Sequence, residues 1–327
     1  MPTRLKAGVP LVLLNNEGGF LEILKTTAEM IKDIKIQGAT NVAVAALEAL
    51  TSYVKEAEIS SKEDLLGHLN YAKEILFSTR ATEPAMRNGI RSIIYHVELS
   101  QKTDLAELIG LAGEKVRDFI ANLKKAKERI AEIGAKRIVD DMDVMTHCHS
   151  SAVSAILREA WNQGKKFRVV CTETRPLFQG RITSKELTEV GIPTTMVIDS
   201  AMRWVIKTKE IDFVIVGADA ITSEGVVINK VGTRLLALAA REFDVPFYIA
   251  TPLAKFSPET VAGKLEEIEM RSSDELWDNP PPGLSIENPA FETVARDYID
   301  GFITEEGIFP PSYIIAVVSK KYPFMFE

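Results

Sequence analysis

Residues 143–173 read "DVMTHCHSSAVSAILREAWNQGKKFRVVCTE", and three rhythms succeed one another within them. The run "DVMTHC" is short and β-rich. The following "SSAVSAILREAWNQGKK" spaces apolar residues three and four apart, and "FRVVCTE" is β-rich again. Strand, amphipathic helix and strand in thirty-odd residues form the unit of a parallel sheet, because parallel neighbours need a crossover and a helix supplies it. The same grammar continues downstream with the strands "TTMVID", "DFVIVGA", "PFYIAT" and "GFITE" and with helices such as "GTRLLALAAREF". Gly164 and Gly191 stand where helices should stop, and Thr183 with Glu186 has the spacing of a capping box.

Upstream the pattern is helical. From about Phe20 to Gly134 apolar residues recur at three and four spacing with only short turn clusters between them. "SSKEDLLGHLNYAKEILF" opens on Ser60 and Glu63 at capping-box spacing, and a longer helix runs from Thr103 to a glycine stop at Gly134. The expected fold is therefore α/β. Residues 20–134 form an amino-terminal helical domain of four or five helices, and residues 135–327 form a Rossmann-like domain with a mostly parallel sheet that carries the active site. Residues 1–19 read as a tail or a small hairpin around Asn15 to Gly19.

Composition excludes several classes. The chain has 327 residues, enough for two domains, with 46% hydrophobic and 26% charged residues. No apolar run approaches the roughly 20 residues of a membrane span, and the start lacks a signal-peptide cleavage pattern, so a cytoplasmic protein with no membrane partner is expected. A net charge of −7 argues against a nucleic-acid partner gripped by a broad basic surface. Two cysteines, Cys148 and Cys171, are too few for a disulfide framework.

In an open parallel sheet ligands bind beyond the carboxyl ends of the strands, so the residues that end each strand carry the functional information. The first of these ends is His147-Cys148-His149. If the strand stays extended, alternation sends Cys148 to one face and both histidines to the other, which disfavours a shared metal, and few other donors exist. A buried structural cysteine competes with a reactive one. Position favours the latter, since a helix start near Ser150 should lower the thiol pKa. His147 is expected to be a hydrogen-bonded packing residue.

The second end is "GADAI". Asp219 closes a wholly apolar strand, where a carboxylate is costly unless paired or catalytic, and burial would favour a protonated general acid. Asn229, Lys230, Gly232 and Thr233 then lead into a helix, which offers a cation and amides to phosphate. Lys255 follows the next strand and would complete an anion pocket. Arg175 in "TETRP" is expected to pair with Glu173.

Taken in order, "MTHCHS", "TETRP", "GADAI", "NKVGT" and "KFSPET" resemble the archaeal ribose-1,5-bisphosphate isomerases. That family is related to methylthioribose-1-phosphate isomerases and to the regulatory subunits of translation initiation factor 2B. The resemblance implies Cys148 as proton acceptor and Asp219 as proton donor, with Ser150, Asn229, Lys230 and Lys255 on the substrate. It assigns phosphate contacts to Gln37, Gly38, Ala39, Thr40 and Arg80, although the family's R-G-A motif here has Gln37 for its arginine, and a neutral amide cannot replace a guanidinium. Around Arg80 the family's following residues are also lost, and Arg87 or Arg91 stands near enough in sequence to compensate. No cofactor is expected and, on the spacing argued above, no metal; by the same resemblance the enzyme acts on a phosphorylated ribose, responds to AMP as an activator, and assembles as a homo-oligomer of dimers forming hexamers. The regulatory subunits and the sister isomerase are the competing readings.

Overall fold

The computed structural model describes residues 20–80, 82–265 and 267–326, and the expected tail or hairpin of residues 1–19 lies outside them. The chain divides into two compact units. One runs to Leu123 and takes in the last residues from Pro323, and the other is Lys124–Tyr322. No helix among the described residues is long and apolar enough to cross a membrane.

The helical unit is built from α1 (Phe20–Lys32), α2 (Ala39–Glu56), α3 (Lys62–Phe77), α4 (Pro84–Leu99) and the first part of α5 (Leu105–Ala135). Its core follows from spacing. In α2, Val42, Ala46, Leu47, Leu50 and Val54 line one buried stripe, and α2 packs against α1 and α4. Each fully buried Leu, Ile or Val of this kind contributes about 1.5–3 kcal/mol. Pro84 opens α4, where its missing N–H would have had no helical partner anyway.

Two helix-end expectations are corrected. The cap of α3 is Ser61, whose side chain accepts from the Asp64 amide at 3.1 Å, while Ser60 donates its amide to Asp64 Oδ2 at 2.9 Å. The box therefore sits one residue later than Ser60 and Glu63. Gly134 does not stop α5 but lies within its last turn. A Cβ at Gly134 would stand 2.4 Å from Ile156 Cδ1, so the glycine is there for the close approach of the helix that follows the first strand.

The second unit opens with β1 (Asp143–Thr146), α6 (Ser151–Asn162), β2 (Arg168–Thr172), α7 (Gln179–Glu189) and β3 (Thr194–Val197). It continues through α8 (Met202–Thr208), β4 (Phe213–Val216), β5 (Ala220–Ile221), β6 (Val227–Lys230) and α9 (Thr233–Glu242). The remainder is β7 (Phe247–Ala250), β8 (Phe291–Val294), β9 (Gly301–Thr304), β10 (Gly307–Phe309) and α10 (Ile314–Lys321). Gly164 and Gly191 follow α6 and α7 at φ +88° and +86°, as helix stops require.

Seven strands make one sheet in the order β10-β9-β7-β4-β1-β2-β3. All neighbours are parallel except β10, which forms an antiparallel hairpin with β9. Val144, Val169, Phe213 and Ile215 from its strands join Ile156 and Leu157 of α6 in one core. The chain walks outward from β1 through β2 to β3, then returns to the other side of β1 at β4 and walks outward through β7 and β9. The order thus reverses between β1 and β4, which pair with Val144 opposite Phe213 and Met145 opposite Val214. A second, three-stranded sheet, β5-β6-β8, is antiparallel. β5 and β6 are short inserts after β4 and β8 lies between β7 and β9, and sequence periodicity does not show them.

Candidate active site

Where strand order reverses, the loops leaving two adjacent strands turn away from each other and open a crevice for a ligand. Here the loop after β1 carries Cys148, and the loop after β4 carries Asp219. The two loops touch. A Cβ on Gly217 would lie 2.7 Å from Ser150 Oγ, so only glycine lets the Gly217-Ala218-Asp219 loop come against the start of α6. Ser150 caps that helix, and its hydroxyl accepts from the Val153 amide.

The extended run expected through the histidines is not present. β1 ends at Thr146, and Cys148 adopts a left-handed backbone with φ +66°, a conformation that costs a residue with a Cβ about 1–3 kcal/mol. Local bonds hold it there. The Cys148 amide donates to Thr174 Oγ1 at 2.9 Å, and the Thr183 hydroxyl donates to the Cys148 carbonyl at 3.0 Å. Thr183 is therefore not a cap: it lies buried inside α7. Thr174 is itself left-handed at φ +62°, and the Asp199 carboxylate accepts its amide and that of Arg175 at 2.8 and 2.7 Å.

His147 is buried and hydrogen-bonded at both ring nitrogens, to Thr172 Oγ1 at 2.6 Å and to the Val231 carbonyl at 2.9 Å. Burial holds its pKa below the ordinary value. His149 Nδ1 meets Thr183 Oγ1 at 3.1 Å, and burial lowers its pKa too. Both rings are thus structural parts of the loop.

The thiol's electrostatics reverse the expectation. Burial, followed by the Asp219 carboxylate, pushes Cys148 up to about 12, against opposing pulls from the His149 amide and the Lys230 ammonium. A helix start nearby does not offset desolvation by a low-dielectric pocket. Lys230 is buried, and desolvation lowers its pKa while Cys148 and Asp219 raise it. Cys148, Asp219 and Lys230 therefore feel one another's charge.

Of the other polar groups, one reaches these loops directly. Lys255 Nζ donates to the Ala218 carbonyl, beside Asp219. Asn229 is buried and donates to Thr233 Oγ1 at 3.0 Å. The amides expected to hold phosphate at the start of α9 are partly taken: Gly232 and Arg234 both donate to Glu292 Oε1, at 2.6 and 2.9 Å. A carboxylate supplied by β8 caps this positive helix end. Arg175 does not pair with Glu173. It donates to the Leu276 carbonyl and stacks over Phe178, and Glu173 lies 3.6 Å from Arg181. Cys171 is fully buried in β2, with its thiol pushed up to about 12 by burial, and both cysteines are free.

Of the expected site residues, Cys148, Ser150, Asp219, Asn229, Lys230 and Lys255 belong to this unit. Gln37, Gly38, Ala39, Thr40 and Arg80 belong to the helical unit. There Gly38 precedes α2 with φ +85°, Gln37 Nε2 donates to the Ile34 carbonyl, and the Arg80 guanidinium pairs with Glu83. Arg87 and Arg91 stack over Phe77, 5.5 and 5.3 Å from its ring centre.

Thr174 stands among the polar strand ends of the sequence, but its role and that of Thr183 as partners of the Cys148 backbone are not legible there, nor is Glu292 as the cap of α9. The "TET" of 172–174 at a strand end was a usable signal for the first. Thr183 was hidden by its resemblance to a cap.

A thiol and a carboxylate stand at the switch point of a mostly parallel sheet with lysines beside them, an arrangement whose chemistry suits a small anionic ligand. Residues 35–311 match the Initiation factor 2 subunit family, and the chain belongs to that family. A ribose 1,5-bisphosphate isomerase of Pyrococcus furiosus is 40% identical over 307 residues, 92% of this chain and 94% of the relative. Among solved structures, translation initiation factor eIF-2B of Pyrococcus horikoshii OT3 is similar with a TM-score of 0.75 and 30% identity, over 89% of this chain and 97% of that one. A 5-methylthioribose 1-phosphate isomerase from the same organism is similar with a TM-score of 0.74 and 28% identity, over 91% and 88%.

Proposed function

We propose that the protein is an aldose–ketose isomerase that converts ribose 1,5-bisphosphate to ribulose 1,5-bisphosphate, with Cys148 and Asp219 as its proton-transfer pair. The observation that carries this reading is the placement of these two residues on adjacent loops at the sheet's switch point, with charges that act on each other. The 40%-identical relative that bears the name of this enzyme supports the choice of substrate.

A sugar whose anomeric oxygen is phosphorylated cannot open simply to a free aldehyde. Asp219 protonates the ring oxygen as its bond to carbon 1 breaks, and the Cys148 thiolate removes the proton from carbon 2, which leaves an enol phosphate-like intermediate. The thiol then returns the proton to carbon 1, and Asp219 takes back the proton of the carbon 2 hydroxyl. The cycle begins and ends with one proton on the carboxyl and none on the sulfur. Burial is the largest cause of the raised thiol pKa and still opposes the thiolate; protonation of Asp219 on substrate binding removes the second cause, and the His149 amide and the Lys230 ammonium favour the thiolate.

Ser150, Asn229, Lys230 and Lys255 bind the substrate in this reading. The resemblance adds Gln37, Gly38, Ala39, Thr40 and Arg80 of the helical unit as phosphate contacts, which Arg80→Ala tests through KM. AMP salvage, activation by AMP and a hexamer of dimers belong to the same proposal.

The likeness to eIF-2B favours a second reading, a regulatory subunit that binds a sugar phosphate or nucleotide without turnover. Gln37 in place of an arginine favours a third, an isomerase of a thiosugar monophosphate. Offering the purified protein ribose 1,5-bisphosphate and, separately, methylthioribose 1-phosphate, and following ketose, separates all three.

A further inference from the structure

We infer that His147, Thr172 and Thr174 are positioning residues for the reaction: a hydrogen-bond chain of fixed direction runs through them and ties the loop that carries Cys148 to the turn that directly follows Asn229 and Lys230 at the end of β6. The inference rests on the reading of Cys148 as the reacting thiol. Its direction follows from donor counting. The Val231 carbonyl only accepts, so His147 Nε2 carries the ring proton in their 2.9 Å bond. Nδ1 of the neutral ring then accepts from the Thr172 hydroxyl at 2.6 Å, which commits that hydroxyl's single proton. In the 3.3 Å contact between Thr172 Oγ1 and Thr174 Oγ1, Thr174 must therefore be the donor. Thr174 Oγ1 in turn accepts the Cys148 amide at 2.9 Å. The chain reads Cys148 N–H to Thr174, Thr174 to Thr172, Thr172 to His147, and His147 to the carbonyl of Val231, the residue after Lys230.

The three side chains are enclosed. Thr172 and Thr174 have no exposed surface and His147 has 2%, so none can replace a lost partner with bulk water, and such buried polar groups are costly to leave unpaired. The far end is seated as well. A Cβ on Gly232, which has φ +105°, would meet His147 Nε2 at 2.8 Å, so the ring lies directly against the backbone of the turn that follows Lys230. At the near end the chain holds one peptide group of Cys148, and Thr183 holds the other. The left-handed backbone that aims the thiol is thus maintained by bonds on both sides, and one of them is anchored beside Lys230.

The test uses the full chain with Thr174→Val, Thr174→Ser, Thr172→Val and the double valine variant. Three quantities are read on each: thermal melting, kcat and KM on ribose 1,5-bisphosphate, and the rate at which iodoacetamide alkylates Cys148, followed by mass spectrometry of its peptide. Valine keeps the shape of threonine and removes the bond. Folded Thr174→Val should lose roughly 10- to 100-fold in kcat, as expected when a reacting group is misplaced by about an ångström, with KM nearly unchanged and an altered alkylation rate. Thr174→Ser should recover most of both. The double variant should be no worse than Thr174→Val, because the chain is cut either way. Native kcat and alkylation rate in folded Thr174→Val, no advantage of serine over valine, or losses that add in the double variant would each overturn the inference. If Thr174→Val does not fold, Thr172→Val breaks the chain one link further from the thiol and decides by the same readings. If the native protein turns over no sugar phosphate, the functional reading fails by itself, and the alkylation rates still decide whether the chain positions Cys148.

Discussion

Gly217 and Ser150 approach so closely that a Cβ on the glycine would stand 2.7 Å from the serine Oγ and 2.8 Å from its Cβ. This contact joins the loop that bears the carboxylate to the helix start behind the thiol. Gly217→Ala forces the two loops apart, and overpacking of this kind typically costs about 1–3 kcal/mol. Urea unfolding should show that loss, and the folded variant should also lose turnover, because Asp219 moves with its loop. Native stability in Gly217→Ala would mean that the loops can separate without strain.

Cys148→Ser should abolish turnover and leave substrate binding largely intact, since it removes the base and no phosphate contact. Cys171→Ser should keep turnover per folded molecule, because that sulfur sits in the sheet core with no exposed surface. Isothermal titration together with a rate assay on both variants checks this. Equal loss of turnover from both would remove the distinction between a reacting and a packing thiol.

The pH behaviour of the thiol has a definite sign. Because Cys148 is pushed up to about 12 by burial first and by Asp219 second, alkylation of the native protein should still be rising at pH 10. In the ligand-free protein the ionised Asp219 carboxylate raises the thiol, so Asp219→Asn lowers the thiol pKa and speeds alkylation at pH 8; the protonated carboxyl of the reaction cycle belongs to the substrate-bound state. Both cysteines are raised from the ordinary 9.0, so the unfolded chain loses these protons first. Their contribution to stability is complete below about pH 9 and declines toward pH 12. Slower alkylation in Asp219→Asn would contradict the coupling of the pair.

Glu292 caps α9 through the amides of Gly232 and Arg234. Removing such a cap costs about 0.5–2 kcal/mol, so Glu292→Ala should lower the unfolding free energy by that amount while Glu292→Gln, which keeps an acceptor, loses less. Chemical denaturation of the two variants measures the difference.

Much of the framework was legible because apolar runs bounded by polar residues mark buried parallel strands: "DFVIVGA" and "FRVVCTE" could hardly be anything else. β5, β6 and β8 were not. β5 is a two-residue strand and "VINK" of β6 is four residues long, and both become strands only by pairing with each other and with β8 far along the chain. The candidate pair was legible from strand ends, since Cys148 and Asp219 follow β1 and β4. Its environment was not. Nothing local announces a left-handed cysteine, and a threonine three residues before a glutamate looks like a cap until α7 is seen to begin four residues earlier and to aim that hydroxyl at the Cys148 carbonyl. The thiol's pKa was misjudged for a related reason: a helix start can be read from sequence, but the burial that outweighs it depends on residues from several strands.

The most direct measurement compares the native protein with Asp219→Asn on ribose 1,5-bisphosphate, following ketose formation and thermal melting on the same preparations. The native protein should produce ribulose 1,5-bisphosphate, and the variant should fall by about 10²–10⁴-fold, the usual worth of a general acid, with its melting temperature and substrate affinity little changed. No ketose from the native protein, or an Asp219→Asn variant that turns over at the native rate, would contradict isomerisation by the Cys148 and Asp219 pair.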